Sequence, residues 1–179
     1  MSKILCISGS LRKGSYNSAL LRAARDFAPD IIRIGSIHGV PLYDGDLESE
    51  GVPAAVRELK DQVAAADGLL LVTPEYNNSM PGVLKNAIDW LSRPSGDIRN
   101  VFRGKTVAVI GATPGGWGTL LGQNAWLPVL HALGADYWSG GRLLVSGAGR
   151  LFDDDGRLID DSVSERLDRF IHNFIDYIA

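Results

Sequence analysis

The chain has 179 residues, 45% hydrophobic and 22% charged, with a formal net charge of -3. That length carries one domain with a full core, the charge excludes a broad basic surface for nucleic acid, and no apolar run reaches membrane-spanning length. A single cysteine excludes an intramolecular disulfide and fits a reducing compartment, and the three histidines are scattered without the spacing of a zinc site.

In chain order, no secretory leader pattern precedes the first apolar run, so a cytoplasmic protein is expected. Ile4 to Ile7 reads as a buried strand, and from Tyr16 onward Ala19, Leu20, Ala23, Ala24 and Phe27 recur with helical periodicity. Cys6 falls inside the apolar run, as a small core residue rather than a nucleophile. Between strand and helix lies a tight loop holding Gly9, Gly14, Arg12 and the hydroxyls of Ser8, Ser10 and Ser15. Such a loop aims amides, hydroxyls and the positive end of a helix at one point, which suits a phosphate. It is neither the G-x-x-x-x-G-K-[ST] loop of nucleoside triphosphatases nor the G-x-G-x-x-G of dinucleotide sites. Hydroxyl donors plus an arginine fit a terminal phosphate monoester. A polar turn without a ligand is the plain alternative.

Asp30 to Ile37 reads as a second strand, followed by a Pro/Gly/Asp-rich loop from His38 to Val52. Pro53 opens a helix with Val56, Leu59, Val63 and Ala66 on one face. Gly68 to Thr73 is a central strand ending in Thr73-Pro-Glu-Tyr-Asn-Asn-Ser-Met-Pro81, which shows neither helix nor strand character. Val83 to Leu91 is helical, with a Lys85–Asp89 pair at i, i+4; these two residues read as a solvated or interfacial pair, not as catalysts. Arg93 to Arg103 reads as a surface connection. Thr106 to Gly111 is a buried strand leading into Ala112-Thr-Pro-Gly-Gly-Trp-Gly118. Leu120 to Leu133 is a helix that Pro128 should kink or delay, and a last short strand lies within Gly141 to Val145. Ser162-x-x-Glu165 reads as a capping box opening a final helix, with Leu167, Phe170, Ile171, Phe174 and Ile178 on its apolar face.

Strands alternating with helices argue a parallel sheet covered on both faces. Ligands of such sheets sit outside the C-terminal ends of the strands, at a switch in strand order. The unusual loops 8–18, 73–81 and 111–118 follow the first, third and fourth strands. In the flavodoxin-like order 2-1-3-4-5 those strands are neighbours, so the loops form one site. The expected fold is α/β: a flavodoxin-like three-layer sandwich over residues 1–179, a five-stranded parallel sheet with helices on both faces.

Gly9-Ser-Leu-Arg-Lys-Gly-Ser-Tyr-Asn17, Thr73-Pro-Glu-Tyr-Asn77 and Pro81-Gly-Val-Leu-Lys-Asn-Ala-Ile-Asp-Trp90 together resemble the NAD(P)H-dependent FMN reductase family, which includes soluble quinone, chromate and azo-dye reductases. The resemblance implies non-covalent FMN and NAD(P)H as electron donor. Ser10, Arg12, Ser15, Asn17 and Ser18 match the family's phosphate-binding loop. Pro74, Glu75, Tyr76 and Asn77 match the segment along the isoalloxazine ring. The third loop departs from the family's usual Ser-Gly-Gly type; Thr113, Gly115 and Gly116 are the candidates there, and backbone amides from Ala112 to Gly116 are expected to stabilise the charge that develops on the reduced ring. The resemblance also implies a homodimer or homotetramer, often with the helix after Pro81 at the dimer contact.

On this reading the chain is an oxidoreductase passing hydride from a nicotinamide to a quinone, chromate, azo compound or flavin by a ping-pong cycle. The cofactor carries the hydride chemistry and the protein supplies orientation and electrostatics, so no side chain is expected as a nucleophile. Glu75 is assigned a structural or interface role. Trp117 reads equally as a surface plug or as a wall of the substrate site. The alternatives are a non-enzymatic flavodoxin-type electron carrier and a flavin-free domain binding some other phosphate ester. Such carriers resemble Thr-x-Thr-Gly-x-Thr in the phosphate loop and are usually much more acidic than this chain.

Overall fold

The computed structural model describes residues 3–179. Residues 1 and 2, which belong to the unit expected over 1–179, lie outside the described residues. The chain runs β1 (Ile4–Ser8), α1 (Tyr16–Phe27), β2 (Ile32–Gly35), α2 (Gly45–Glu50), α3 (Ala54–Ala65), β3 (Gly68–Val72), α4 (Gly82–Leu91), α5 (Ile98–Val101), β4 (Thr106–Ala112), α6 (Leu120–Leu133), β5 (Asp136–Tyr137), β6 (Leu144–Val145) and α7 (Asp161–Ile178). The sheet order is β2-β1-β3-β4-β5, with β6 also paired to β4, and every pairing is parallel. This is the expected flavodoxin-like topology.

The central strands are apolar throughout because both of their faces are covered. Ile4, Cys6, Leu70, Val72, Ala108 and Ile110 pack with residues of α1 and α7, including Leu20, Leu167 and Phe174. Their neighbours Leu5, Ile7, Leu69, Leu71, Val107 and Val109 pack with residues of α3, α4 and α6, including Leu59, Leu84 and Trp126. The strict alternation follows from the period-2 geometry of a strand.

The structure differs from the sequence reading in several elements. The fifth position in the sheet is split. Asp136–Tyr137 pairs with the start of β4, and Leu144–Val145 pairs with its end. Trp138 causes the break: it is buried against Phe170 and Phe174 of α7, with ring centroids 5.0 and 5.1 Å away. Gly140 and Gly141 make room for it, since a Cβ on either would lie within 3 Å of the indole.

The segment 93–103 is more than a surface connection. It forms α5 and buries Val101 and Phe102, with Lys60 of α3 paired to Asp97 at 2.8 Å. The long loop after β2 contains α2, capped by Asp44, whose carboxylate accepts the Asp46 amide. The final helix is capped by Asp160 rather than Ser162: its Oδ1 accepts the Val163 amide at 2.9 Å, and a carboxylate there also meets the helix dipole. α6 runs unbroken through Pro128. Asn124 and Pro128 are both exposed, so the carbonyl that the proline leaves free is open to water.

Candidate functional site

The first loop is built for close approach. The Gly9 amide is tied to the Val72 carbonyl at 2.9 Å, and a Cβ on Gly9 would lie 2.9 Å from both Leu84 Cδ2 and Pro74 Cδ. Ser15 caps α1, its hydroxyl accepting the Ser18 amide at 3.3 Å. Ser10 is buried and its hydroxyl accepts the Arg12 amide at 3.3 Å. The amides of Ser10, Leu11, Gly14, Tyr16 and Asn17 have no hydrogen-bond partner among the described residues. They stand at the positive end of α1. The Arg12 guanidinium lies 5.3 Å from the centre of the Tyr16 ring and joins no ion pair among the described residues.

The second loop is more ordered than its sequence indicates. Tyr76 and Ser79 exchange two backbone hydrogen bonds of 3.0 Å, closing a two-residue turn. Asn77 and Asn78 at the turn have φ of 50° and 61°, a left-handed conformation that asparagine tolerates. The loop is anchored below by buried Thr73, whose hydroxyl donates to the Pro74 carbonyl at 2.9 Å and accepts from Trp126 Nε1 at 3.2 Å. Glu75 Oε2 accepts the Gly122 amide at 2.8 Å, so it caps α6 from another part of the chain. This agrees with a structural role for Glu75.

The third loop meets the other two through small residues and amide bonds. A Cβ on Gly111 would lie 2.0 Å from the Thr73 carbonyl oxygen and 2.4 Å from Thr119 Oγ1, so only glycine lets β4 pass there. Asn17 donates to the Ala112 carbonyl at 2.8 Å and accepts the Ala112 amide at 2.9 Å, clamping the first loop to the third. Thr113 and Gly115 are held from behind by backbone bonds to Val145, Ala148 and Gly147.

The three loops enclose one cleft of about 380 Å³. Of the residues expected from sequence, Ser10, Arg12, Ser15, Asn17, Pro74, Glu75, Tyr76 and Thr113 line it. Tyr16, Ala112 and Pro114 line it as well and were not among those candidates. Tyr16 sits inside the first motif, but nothing in its local sequence separates a cleft residue from a helix-face aromatic. Ser18 faces elsewhere: it shares a hydrogen bond of 2.9 Å with Ser8 and lines a neighbouring cavity of about 260 Å³ with Ile37 and His38. Asn77, Gly115 and Gly116 are exposed and do not line the cleft. Trp117 is 80% exposed and so seals no part of the core.

Chemically the cleft offers hydroxyls, unpaired amides and one free guanidinium at one end, with Pro74, Tyr76 and Pro114 as walls. That donor set fits a phosphate monoester carrying a flat aromatic system, as in FMN. Full burial pushes the Cys6 thiol far up, which removes it as a nucleophile. No cluster of metal-binding side chains exists among the described residues.

The sequence model of the family described as NADPH-dependent FMN reductase matches residues 2–149. The chain is 45% identical over 167 residues to an NAD(P)H-dependent FMN reductase of Pseudomonas aeruginosa, covering 92% of this chain and 89% of that one. It is 38% identical over 181 residues to a 2-hydroxy-1,4-benzoquinone reductase of a Burkholderia species, covering 98% and 96%. Among solved structures, the flavoenzyme NAD(P)H:(acceptor) oxidoreductase FerB of Paracoccus denitrificans superposes with a TM-score of 0.88 at 34% identity, covering 99% of this chain and 97% of that one.

Proposed function

The chain belongs to the NADPH-dependent FMN reductase family, and on that premise we propose that it is an FMN-dependent quinone reductase in which donor and acceptor use one cleft in turn. FMN bound there supplies acceptance of hydride from NAD(P)H and its delivery to the acceptor. A quinone is the favoured acceptor because relatives of this chain are named for it; chromate, azo compounds and free flavin are further candidates for an open site.

The residues divide the work. Ser10, Ser15 and Arg12, with the unpaired amides of the first loop, hold the phosphate. Asn17 works through Ala112, fixing the third loop against the first. Pro74 and Tyr76 orient the ring, with Asn77 and Glu75 holding the shape of their loop. In the third loop the Thr113 amide is taken by the Val145 carbonyl and the Gly115 amide by the Thr113 hydroxyl. Thr113 therefore serves as a wall of the cleft, and the Gly116 amide is the remaining donor of the three for the ring's polar end, where a fixed dipole needs no reorganisation as charge develops. Ser18 supports the loop from behind.

The whole chain, 1–179, acts as one FMN-binding unit in a homodimer or homotetramer. Exposed Leu42 and Tyr43, with Val83 on the helix after Pro81, supply apolar surface for that contact. No helix among the described residues is long and apolar enough to cross a membrane, and a cytoplasmic setting fits the single buried cysteine.

The observation that carries the reading is the convergence of buried hydroxyls, unpaired amides and an uncommitted arginine at the end of a cleft. Titrating apoprotein with FMN and with FAD tests it. Tighter binding of FMN is expected, because the loop suits a terminal monoester and lacks a dinucleotide fingerprint. Equal or tighter FAD binding would count against it.

A further inference from the structure

The break in the fifth strand creates a second feature, remote from the cleft in its lining. Arg142, Arg166 and Arg169 line one cavity of about 310 Å³ together with Gly141, Phe170 and Asn173, and none of these residues lines the cleft. Arg166, Arg169 and Asn173 recur at i, i+3 and i+7 and so share one stripe of α7. Arg142 comes from the opposite wall, the segment that leaves the sheet because Trp138 is drawn down onto α7.

No carboxylate lines this cavity. The ion pairs among the described residues are Arg25–Asp26, Lys60–Asp97, Lys85–Asp89 and His172–Asp168, and none uses these arginines. Arg142 donates to neutral Asn124 Oδ1 at 3.0 Å, which leaves its charge uncompensated. The three arginines are exposed, so their mutual repulsion is reduced by solvent screening, and an anion in the shared space would relieve what remains. Guanidinium groups are planar forks that match oxyanions with paired hydrogen bonds.

We propose that this cavity binds a small phosphate-bearing polyanion on Arg142, Arg166 and Arg169, at a site separate from the flavin cleft. The test uses protein saturated with FMN, so that the phosphate loop is filled. Inorganic pyrophosphate and, separately, ADP are titrated by calorimetry at low salt. One saturable site is expected, weakened at least tenfold in R166A/R169A and at least threefold in R142A, with the flavin absorbance of each variant retained. R166Q/R169Q serves the same purpose should the alanine pair fail to fold. R99A, at an exposed position outside the cavity, should leave the affinity unchanged. Tighter binding of ADP than of pyrophosphate assigns a nucleotide, and equal binding assigns the phosphates alone; both uphold the site. No saturable binding of either probe, or binding unaffected in R166A/R169A, overturns it.

Discussion

Arg12 in the first loop and Asn17 in the first turn of α1 sit five residues apart, yet they were legible in the sequence to very different degrees. Arg12 declares itself locally: an arginine among serines and glycines ahead of a helix has few structural uses, and it pairs with no carboxylate among the described residues. If it meets the phosphate, Arg12→Ala removes a charge-assisted hydrogen bond of about 1.5–3 kcal/mol. FMN should then bind roughly tenfold more weakly, or worse, while riboflavin, which lacks the phosphate, changes much less. An FMN affinity equal to wild type would return Arg12 to the solvated surface. Asn17 gives no such local signal, because its partner is Ala112, far along the chain and buried. Asn17→Ala would leave a buried N–H and a buried C=O unpaired, at a cost of about 1–3 kcal/mol. For a domain of this size that is a fall in Tm of roughly 2–4 °C per kcal/mol. Asn17→Asp should fall further, since a carboxylate would then face the Ala112 carbonyl. Thermal melts of the apoproteins measure both; melting temperatures equal to wild type would remove Asn17 as a clamp.

At the scale of elements, the strands and long helices were legible because burial on both faces writes continuous apolar runs and helix faces write their own period. What was not legible depended on contacts between distant segments. The split of the fifth strand follows from the fit of Trp138 against α7. The burial of Phe102 follows from the packing of α5 in the same apolar cluster as Leu59 and Val63 of α3. The cap of α6 follows from Glu75, which no reading of the local sequence before Leu120 would find. That cap separates two roles for Glu75. Glu75→Gln keeps an acceptor for the Gly122 amide and loses only the charge at the helix N-terminus, about 0.3–1 kcal/mol. Glu75→Ala also loses the acceptor, a capping loss of about 0.5–2 kcal/mol. Turnover of the Gln variant should therefore stay near wild type while the Ala variant melts lower. A general acid at this position would instead show a drop of about 10²–10⁴-fold in the Gln variant, and steady-state rates with a quinone acceptor decide between them.

At the scale of the whole molecule, the order β2-β1-β3-β4-β5 places the ends of β1, β3 and β4 side by side. Three loops from distant parts of the sequence thereby close on one cleft. The chain carries no second nucleotide fingerprint. The arginine-lined cavity against α7 shares no lining residue with the cleft. On the proposed function, the nicotinamide and the quinone use the same open side of the cleft in turn, the first leaving before the second enters. Initial rates measured against NAD(P)H at several quinone concentrations should give parallel lines. Each substrate at high concentration should inhibit competitively against the other, because each blocks the form of the enzyme that the other needs. Replacing Tyr76, which is 49% exposed at the mouth, should change turnover while leaving the thermal melt of the apoprotein in place. Lines that intersect would reveal donor and acceptor bound together, which one shared cleft does not allow; the kinetic scheme would then fall while the assignment of FMN to the cleft would stand on its own titration.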